Sequence, residues 1–161
     1  MSGTGKNSIE IVREIAARPE RVFRALTQAS ELLQWWGAKT QWWLEKAQVD
    51  ARPGGHYRLD FSSVDGKIAS VEGEFEIVDP PRRVVQKWRA SMFPNQVNRV
   101  EYRLESSPAG TRLTVIHSEI ADPTALADYE GGWVEVLLKL VTFLVAVAPV
   151  LGLGGAPEPK E

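Results

Sequence analysis

His56 and His117 are the two side chains of this sequence whose ordinary pKa lies near neutrality. Each falls in a segment of alternating residue character, and by that parity they face opposite sides, which argues against a shared two-histidine metal site. His117 lies on the inward face one strand from Tyr102, where a histidine can act as an acid–base group or orient a ligand. If the protein is an enzyme, His117 and Tyr102 are the candidate catalytic residues, with Tyr57 a third. The same position suits a histidine bonded to a backbone carbonyl at the end of the core, and the lack of a paired carboxylate favours that plainer role. Gly54-Gly55 and Gly131-Gly132 are isolated pairs without the lysine or the spacing of a phosphate cradle, and no nucleophile elbow occurs. With no cysteine, thiol nucleophiles, disulfides, zinc ribbons and iron–sulfur ligation are excluded, and neither a metal nor a cofactor is expected.

The remaining unusual chemistry is aromatic. Six tryptophans occur in 161 residues: Trp35-Trp36, Trp42-Trp43, Trp88 and Trp133. Tryptophan combines a large apolar surface with one donor, so this set reads equally as core filler or as the wall of a hydrophobic ligand cavity. The charged residues, 19 basic against 21 acidic, form no basic patch, which argues against a nucleic-acid partner. Glu72, Glu74, Glu76, Arg82 and Arg83 read as solvated sheet positions.

Positioning these residues requires a sheet and a long helix. Ile9, Ile11 and Arg13 alternate with Glu10, Val12 and Glu14 as a first strand. Pro19 and Glu20 open a helix carrying Val22, Phe23 and Leu26, and a second short helix, with Ser30 as cap, ends near Gly37. Turn sequences at Pro53-Gly54-Gly55, Asp65-Gly66, Asp79-Pro80-Pro81 and Ser107-Pro108-Ala109-Gly110 then divide the chain into six strands, beginning with Ala47–Arg52. Tyr57, Leu59 and Phe61 share one face, as do Val71, Gly73, Phe75 and Ile77; Val100, Tyr102 and Leu104; and Leu113, Val115 and His117.

A helix from about Pro123 to Val147 has one weakly polar stripe, Glu135, Lys139, Thr142 and Ala146, and is expected to be buried over most of its circumference. Positions 140–157 carry no charge, but Pro149 and the glycines beyond it interrupt the run, so stable membrane insertion is not expected. The fold class is therefore α+β, in the order β-α-α-β6-α, with residues 1–7 as a disordered N-terminal lead, 8–147 as the domain and 148–161 as a Pro/Gly-rich tail. The polar lead lacks the apolar core of a secretory signal, and a cytoplasmic location is expected.

Five segments occur in order: Leu32-Leu33-Gln34-Trp35-Trp36-Gly37, the Pro53–Tyr57 turn, Gly73–Val85, Gly110–Ser118 and Gly131-Gly132-Trp133. Over about residues 8–147 the chain resembles the activator of Hsp90 ATPase homologue 1-like family of the START-like or Bet v 1-like (SRPBCC) superfamily. The resemblance implies a helix-grip fold, a curved antiparallel sheet wrapped around the long C-terminal helix. It also implies a hydrophobic cavity between them, lined by Tyr57, Phe61, Phe75, Tyr102, His117, Trp133 and Leu137, with Trp36, Trp43 and Trp88 around it. Superfamily members bind lipids, sterols, polyketides and other apolar molecules, and some cyclise or hydrolyse them. Three functions follow as expectations. The first is a carrier or sensor with a largely preformed apolar pocket for a hydrophobic small molecule. The second is a polyketide cyclase/dehydratase-like or hydrolase enzyme using the same cavity. The third is an interaction module, either a homodimer formed through the apolar tail or a partner of an Hsp90-type chaperone, the latter by family name only.

Overall fold

The computed structural model describes the backbone of residues 7–153 and side chains as far as residue 145. Seven strands, β1 (Ile9–Ile15), β2 (Trp42–Val49), β3 (His56–Ser63), β4 (Ile68–Asp79), β5 (Arg83–Ala90), β6 (Asn98–Ser107) and β7 (Gly110–Ser118), form one antiparallel sheet. Its order is β1-β7-β6-β5-β4-β3-β2, so β2 to β7 meander and β1 closes the far edge against β7. Helices α1 (Pro19–Thr27) and α2 (Ala29–Trp35) connect the two edge strands, and α3 (Pro123–Leu153) follows the sheet. The fold is the expected α+β helix grip, a half-barrel sheet curled around the C-terminal helix.

The core lies on the inner face. Val84, Val100, Leu113, Val115 and His117 meet Trp133, Leu137, Leu140 and Leu144 of α3, all buried. The outer face is ionic: Glu72 pairs with Arg58 at 3.5 Å, Glu76 with Arg99 at 2.9 Å and Glu101 with Arg83 at 2.6 Å. A slip of one residue in any of these strands would bury those charges, which fixes the register.

Several local expectations are corrected. The second strand is Trp42–Val49 rather than Ala47–Arg52, so Trp42 and Trp43 are strand residues. Ser30 lies inside α2; the cap position is Gln28, which makes no side-chain cap bond. In β4, the register shifts between Phe75 and Ile77, and Val78 instead of Ile77 packs on the core, because a bulge inverts the parity of everything after it. The C-terminal helix passes Pro149, which withholds one ladder N–H, and its backbone continues to Leu153. That helix is also covered on one side only: Val134, Leu138 and Val145 are 51%, 64% and 41% exposed. Among the described residues no helix is long and apolar enough to cross a membrane. Positions 1–6 and 154–161, including most of the expected lead and part of the tail, lie outside the described residues.

Candidate functional site

His117 is fully buried at the end of β7, and both of its ring nitrogens are engaged by side chains. The Trp133 indole can only donate, and its Nε1–H reaches His117 Nδ1 at 3.0 Å, so Nδ1 carries a lone pair and the ring proton resides on Nε2. Nε2–H donates to Asn98 Oδ1 at 3.2 Å, and Asn98 Nδ2 donates in turn to the Glu119 carbonyl at 3.0 Å. That last acceptor is presented by a residue with φ of 63°, in the left-handed region that only a few per cent of non-glycine residues occupy. Burial pushes the His117 pKa down to about 3. The ring is therefore neutral at physiological pH, with no free lone pair to take a proton and no carboxylate bonded to it. The partners are side chains rather than the backbone carbonyl expected; Asn98 shares the inward parity of Val100 and Tyr102, a signal the sequence carried.

Trp133 joins this network to the aromatic interior. It meets Trp88 at 5.7 Å between ring centroids, Tyr102 at 6.1 Å and Trp36 at 6.2 Å. Trp36 stacks on Trp35 at 5.2 Å and touches Phe61 at 5.5 Å. These rings occupy the volume in which a preformed pocket was expected. Among the described residues, a gap of about 10 Å³ lies between sheet and helices, room for about one water. Of the ten expected cavity residues, Trp36, Tyr57, Phe75, Trp88 and Tyr102 line it, together with Leu26, Leu32, Val49, Leu59 and Gln86. His117 and Trp133 touch the Trp88 ring of that lining and Phe61 touches Trp36, while Leu137 belongs to the same core cluster. Trp43 does not line the gap: half-buried in β2 and shifted one residue from buried Leu44, it donates to Glu45 Oε1 at 2.9 Å, with Lys39 over its ring.

Two hydroxyls belong to the gap. Tyr57 donates to the Lys87 carbonyl, reaching it across Gly73, where a Cβ would stand 2.1 Å from the same oxygen. The β4–β5 ladder is interrupted between Glu72↔Arg89 and Phe75↔Gln86, so this stretch of β5 is left to a side-chain partner. Burial raises the pKa of Tyr57 and of Tyr102, and both stay protonated as hydrogen-bond donors.

One wall of the gap is held by a single cation. Lys139 was expected on the polar stripe of the C-terminal helix; instead its Nζ donates to the carbonyls of Ala38 (2.7 Å), Trp42 (2.8 Å) and Trp36 (3.4 Å). These oxygens close the C-terminal end of α2 and open β2, where a positive charge is favoured by the helix dipole. Burial lowers the Lys139 pKa. Lys139 thus ties α3 to the segment that carries Trp36.

Elsewhere, two open concavities of 390 and 660 Å³ lie among charges of the outer face and the β2–β4 edge, the first including His56, Glu74 and Lys87 and the second Lys46, Arg58 and Asp60. His56 and His117 do face opposite sides of the sheet. Among the described residues, no group of three or more histidine or carboxylate residues could hold a metal.

The sequence matches the family described as activator of Hsp90 ATPase homolog 1-like protein over residues 16–144. A protein from Chromobacterium violaceum has the same fold, with 24% identity, a TM-score of 0.77 and coverage of 86% of this chain and 97% of that one. The AHSA1 protein from Silicibacter pomeroyi is 26% identical, covers 86% of this chain and 98% of its own, and superposes with a TM-score of 0.74. DynU16, a protein of the dynemicin biosynthetic locus, is 21% identical with a TM-score of 0.72; 87% of this chain matches 48% of that one. No curated protein matches the chain in sequence.

Proposed function

The chain belongs to the activator of Hsp90 ATPase homolog 1-like family, and from that premise we propose that it binds an apolar small molecule between sheet and helices, as a carrier or sensor rather than an enzyme. The observation that carries this reading is the gap walled by Trp36, Trp88, Phe75, Tyr57 and Tyr102, where aromatic surface and two protonated hydroxyls converge between sheet and helices. A ligand of ordinary size needs roughly 300–1,000 Å³, far more than the 10 Å³ present. Binding therefore requires the Trp36 segment to move outward, and Lys139 sets the resistance to that motion.

Acid–base catalysis through His117 finds no support in the geometry, since Trp133 and Asn98 occupy both ring nitrogens. The family name brings no chaperone partner with it. A ligand that binds the folded state must raise the melting temperature, by an amount that grows with its concentration over Kd. A panel of apolar probes and a lipid extract, screened by thermal shift, is expected to contain molecules that do so. Failure of every member to shift the melting temperature would overturn the reading.

A further inference from the structure

Helix α3 packs one side against the sheet and presents the other outward. On the outward side Gly131, Val134, Leu138, Val141 and Val145 follow one another at spacings of three, four, three and four residues, which sets them in one line along the helix. Val134, Leu138 and Val145 are exposed and Val141 is half-buried. Apolar residues at that spacing form the seam along which one helix packs on another.

The same helix carries two glycines that the fold of the single chain does not require. Gly131 and Gly132 are exposed, and a Cβ added to either meets no described atom within 4 Å. A glycine inside a helix weakens it relative to alanine, so a pair standing where side chains would fit freely points to a surface outside the chain that approaches the backbone closely.

Charge selects the occupant. Asp128, Glu130 and Glu135 are exposed in the first half of α3, whereas no charged residue occurs from Leu140 to Pro157. Lys139, the one cation of the helix, is engaged by the carbonyls of Trp36, Ala38 and Trp42. A second copy of α3 laid parallel would bring each acid beside its like, but one laid antiparallel sets the acidic half of each helix beside the uncharged half of the other. The segment 154–161, Gly-Gly-Ala-Pro-Glu-Pro-Lys-Glu, holds no large apolar side chain that could lie on the seam instead.

We propose that this face is an interface between two copies of the chain, α3 against α3, antiparallel about a two-fold axis near Leu138. Leu138 stands at the middle of the 31-residue helix and is the most exposed residue of the seam. Gly131 and Val145 lie at equal distances before and after it, so the pairing sets the Val145 side chain of one copy over the space left at Gly131 of the other. The outward strip of the 31-residue helix is about 46 Å long and about 10 Å wide, at most about 500 Å² per copy. That is the size of a weak interface, with a dissociation constant in the micromolar range.

Light scattering and sedimentation equilibrium of the full chain from about 1 to about 300 µM are expected to show the mass rising from 17.9 kDa toward twice that value. Leu138→Glu stays at the single mass throughout, while its circular dichroism and its melting temperature at the lowest concentration match the wild type, because the side chain is exposed in the single chain. Gly131→Gln moves two readouts in opposite directions: it raises the melting temperature of the dilute chain and weakens association by about tenfold or more. The chain has no cysteine, so introduced thiols report the pairing. A short bis-maleimide joins Leu138→Cys to itself and joins Gly131→Cys to Val145→Cys in a mixture, but neither of the latter to itself, since those positions stand about 21 Å from their own copies. A wild-type chain that keeps the single mass at every concentration overturns the proposal. So does a dimer that Leu138→Glu leaves intact, which would place the interface elsewhere, and so does cross-linking of Gly131→Cys to itself. If Leu138→Glu folds poorly, Gly131→Gln decides: a more stable chain with unchanged association overturns the close approach.

Discussion

Acidification isolates the His117 network more cleanly than deletion does. In the native protein the ring is buried between Trp133 and Asn98 and burial lowers its pKa to about 3, whereas an unfolded histidine titrates near the ordinary value of 6.5. The folded-state pKa is depressed, so the unfolded chain binds the proton first. Stability is complete above about pH 6.5 and falls as the pH drops toward 3. The slope approaches about 1.4 kcal/mol per pH unit, and between pH 7 and 5 the loss from this one group is about 2 kcal/mol. Ordinary carboxylates, with pKa near 4, contribute little in that interval. Urea unfolding followed by tryptophan fluorescence at half-unit steps from pH 7 to 5 measures the slope directly. His117→Leu serves as the control: it leaves Trp133 Nε1–H and Asn98 Oδ1 unpaired and is less stable at neutral pH, but its pH slope is flatter by the same 2 kcal/mol or so. His56, exposed in β3, is common to both proteins and cancels. Equal slopes in wild type and variant, or an NMR titration placing His117 near 6.5, would refute the argument that desolvation holds this ring neutral.

Replacing Trp133 by Phe removes the donor to His117 Nδ1 and some packing volume, and is expected to cost about 2–4 kcal/mol; denaturant unfolding reads the loss. Lys139→Met keeps the aliphatic stem but strips the ammonium from the Trp36, Ala38 and Trp42 carbonyls. Faster amide exchange across residues 36–44, and a stability loss of about 1–3 kcal/mol, are expected, while unchanged exchange would show that the cation does not hold this segment. Gly73→Ala puts a Cβ 2.1 Å from the Lys87 carbonyl and 3.2 Å from the Tyr57 ring. Since backbone must shift, it should cost about 1–3 kcal/mol and release the Tyr57 hydroxyl from Lys87, visible as altered tyrosine absorbance.

The strands were legible because their turns are chemically explicit: Pro53-Gly54-Gly55 and Asp65-Gly66 end one strand and begin the next where glycine holds positive φ, 83° at Gly54 and 81° at Gly66. Parity placed Tyr57, Phe75, Tyr102 and His117 on the buried side correctly. It failed at Ile77, since a bulge leaves no mark in composition. The helix after the sheet departs from its pattern for a different reason: Leu137 and Leu138 are equally apolar residues, and only the tertiary arrangement buries one and leaves the other 64% exposed. The role of Lys139 was invisible because its acceptors are main-chain carbonyls about a hundred residues away, which no residue type announces. Six tryptophans signalled an aromatic interior but not whether their rings would fill the space or surround it. That depends on how Trp36, Trp88 and Trp133 pack against one another.

The central claim is that this interior admits an apolar small molecule. Native mass spectrometry of the freshly purified protein tests it most directly, because it reads the mass of any small molecule retained behind Trp36 and the Lys139 contacts. The account predicts a second species, heavier by the mass of one small molecule, that is lost after denaturation and refolding and restored by adding the extracted compound. A single species at the mass of the bare chain, which no extract or apolar probe converts to a heavier one, would contradict it.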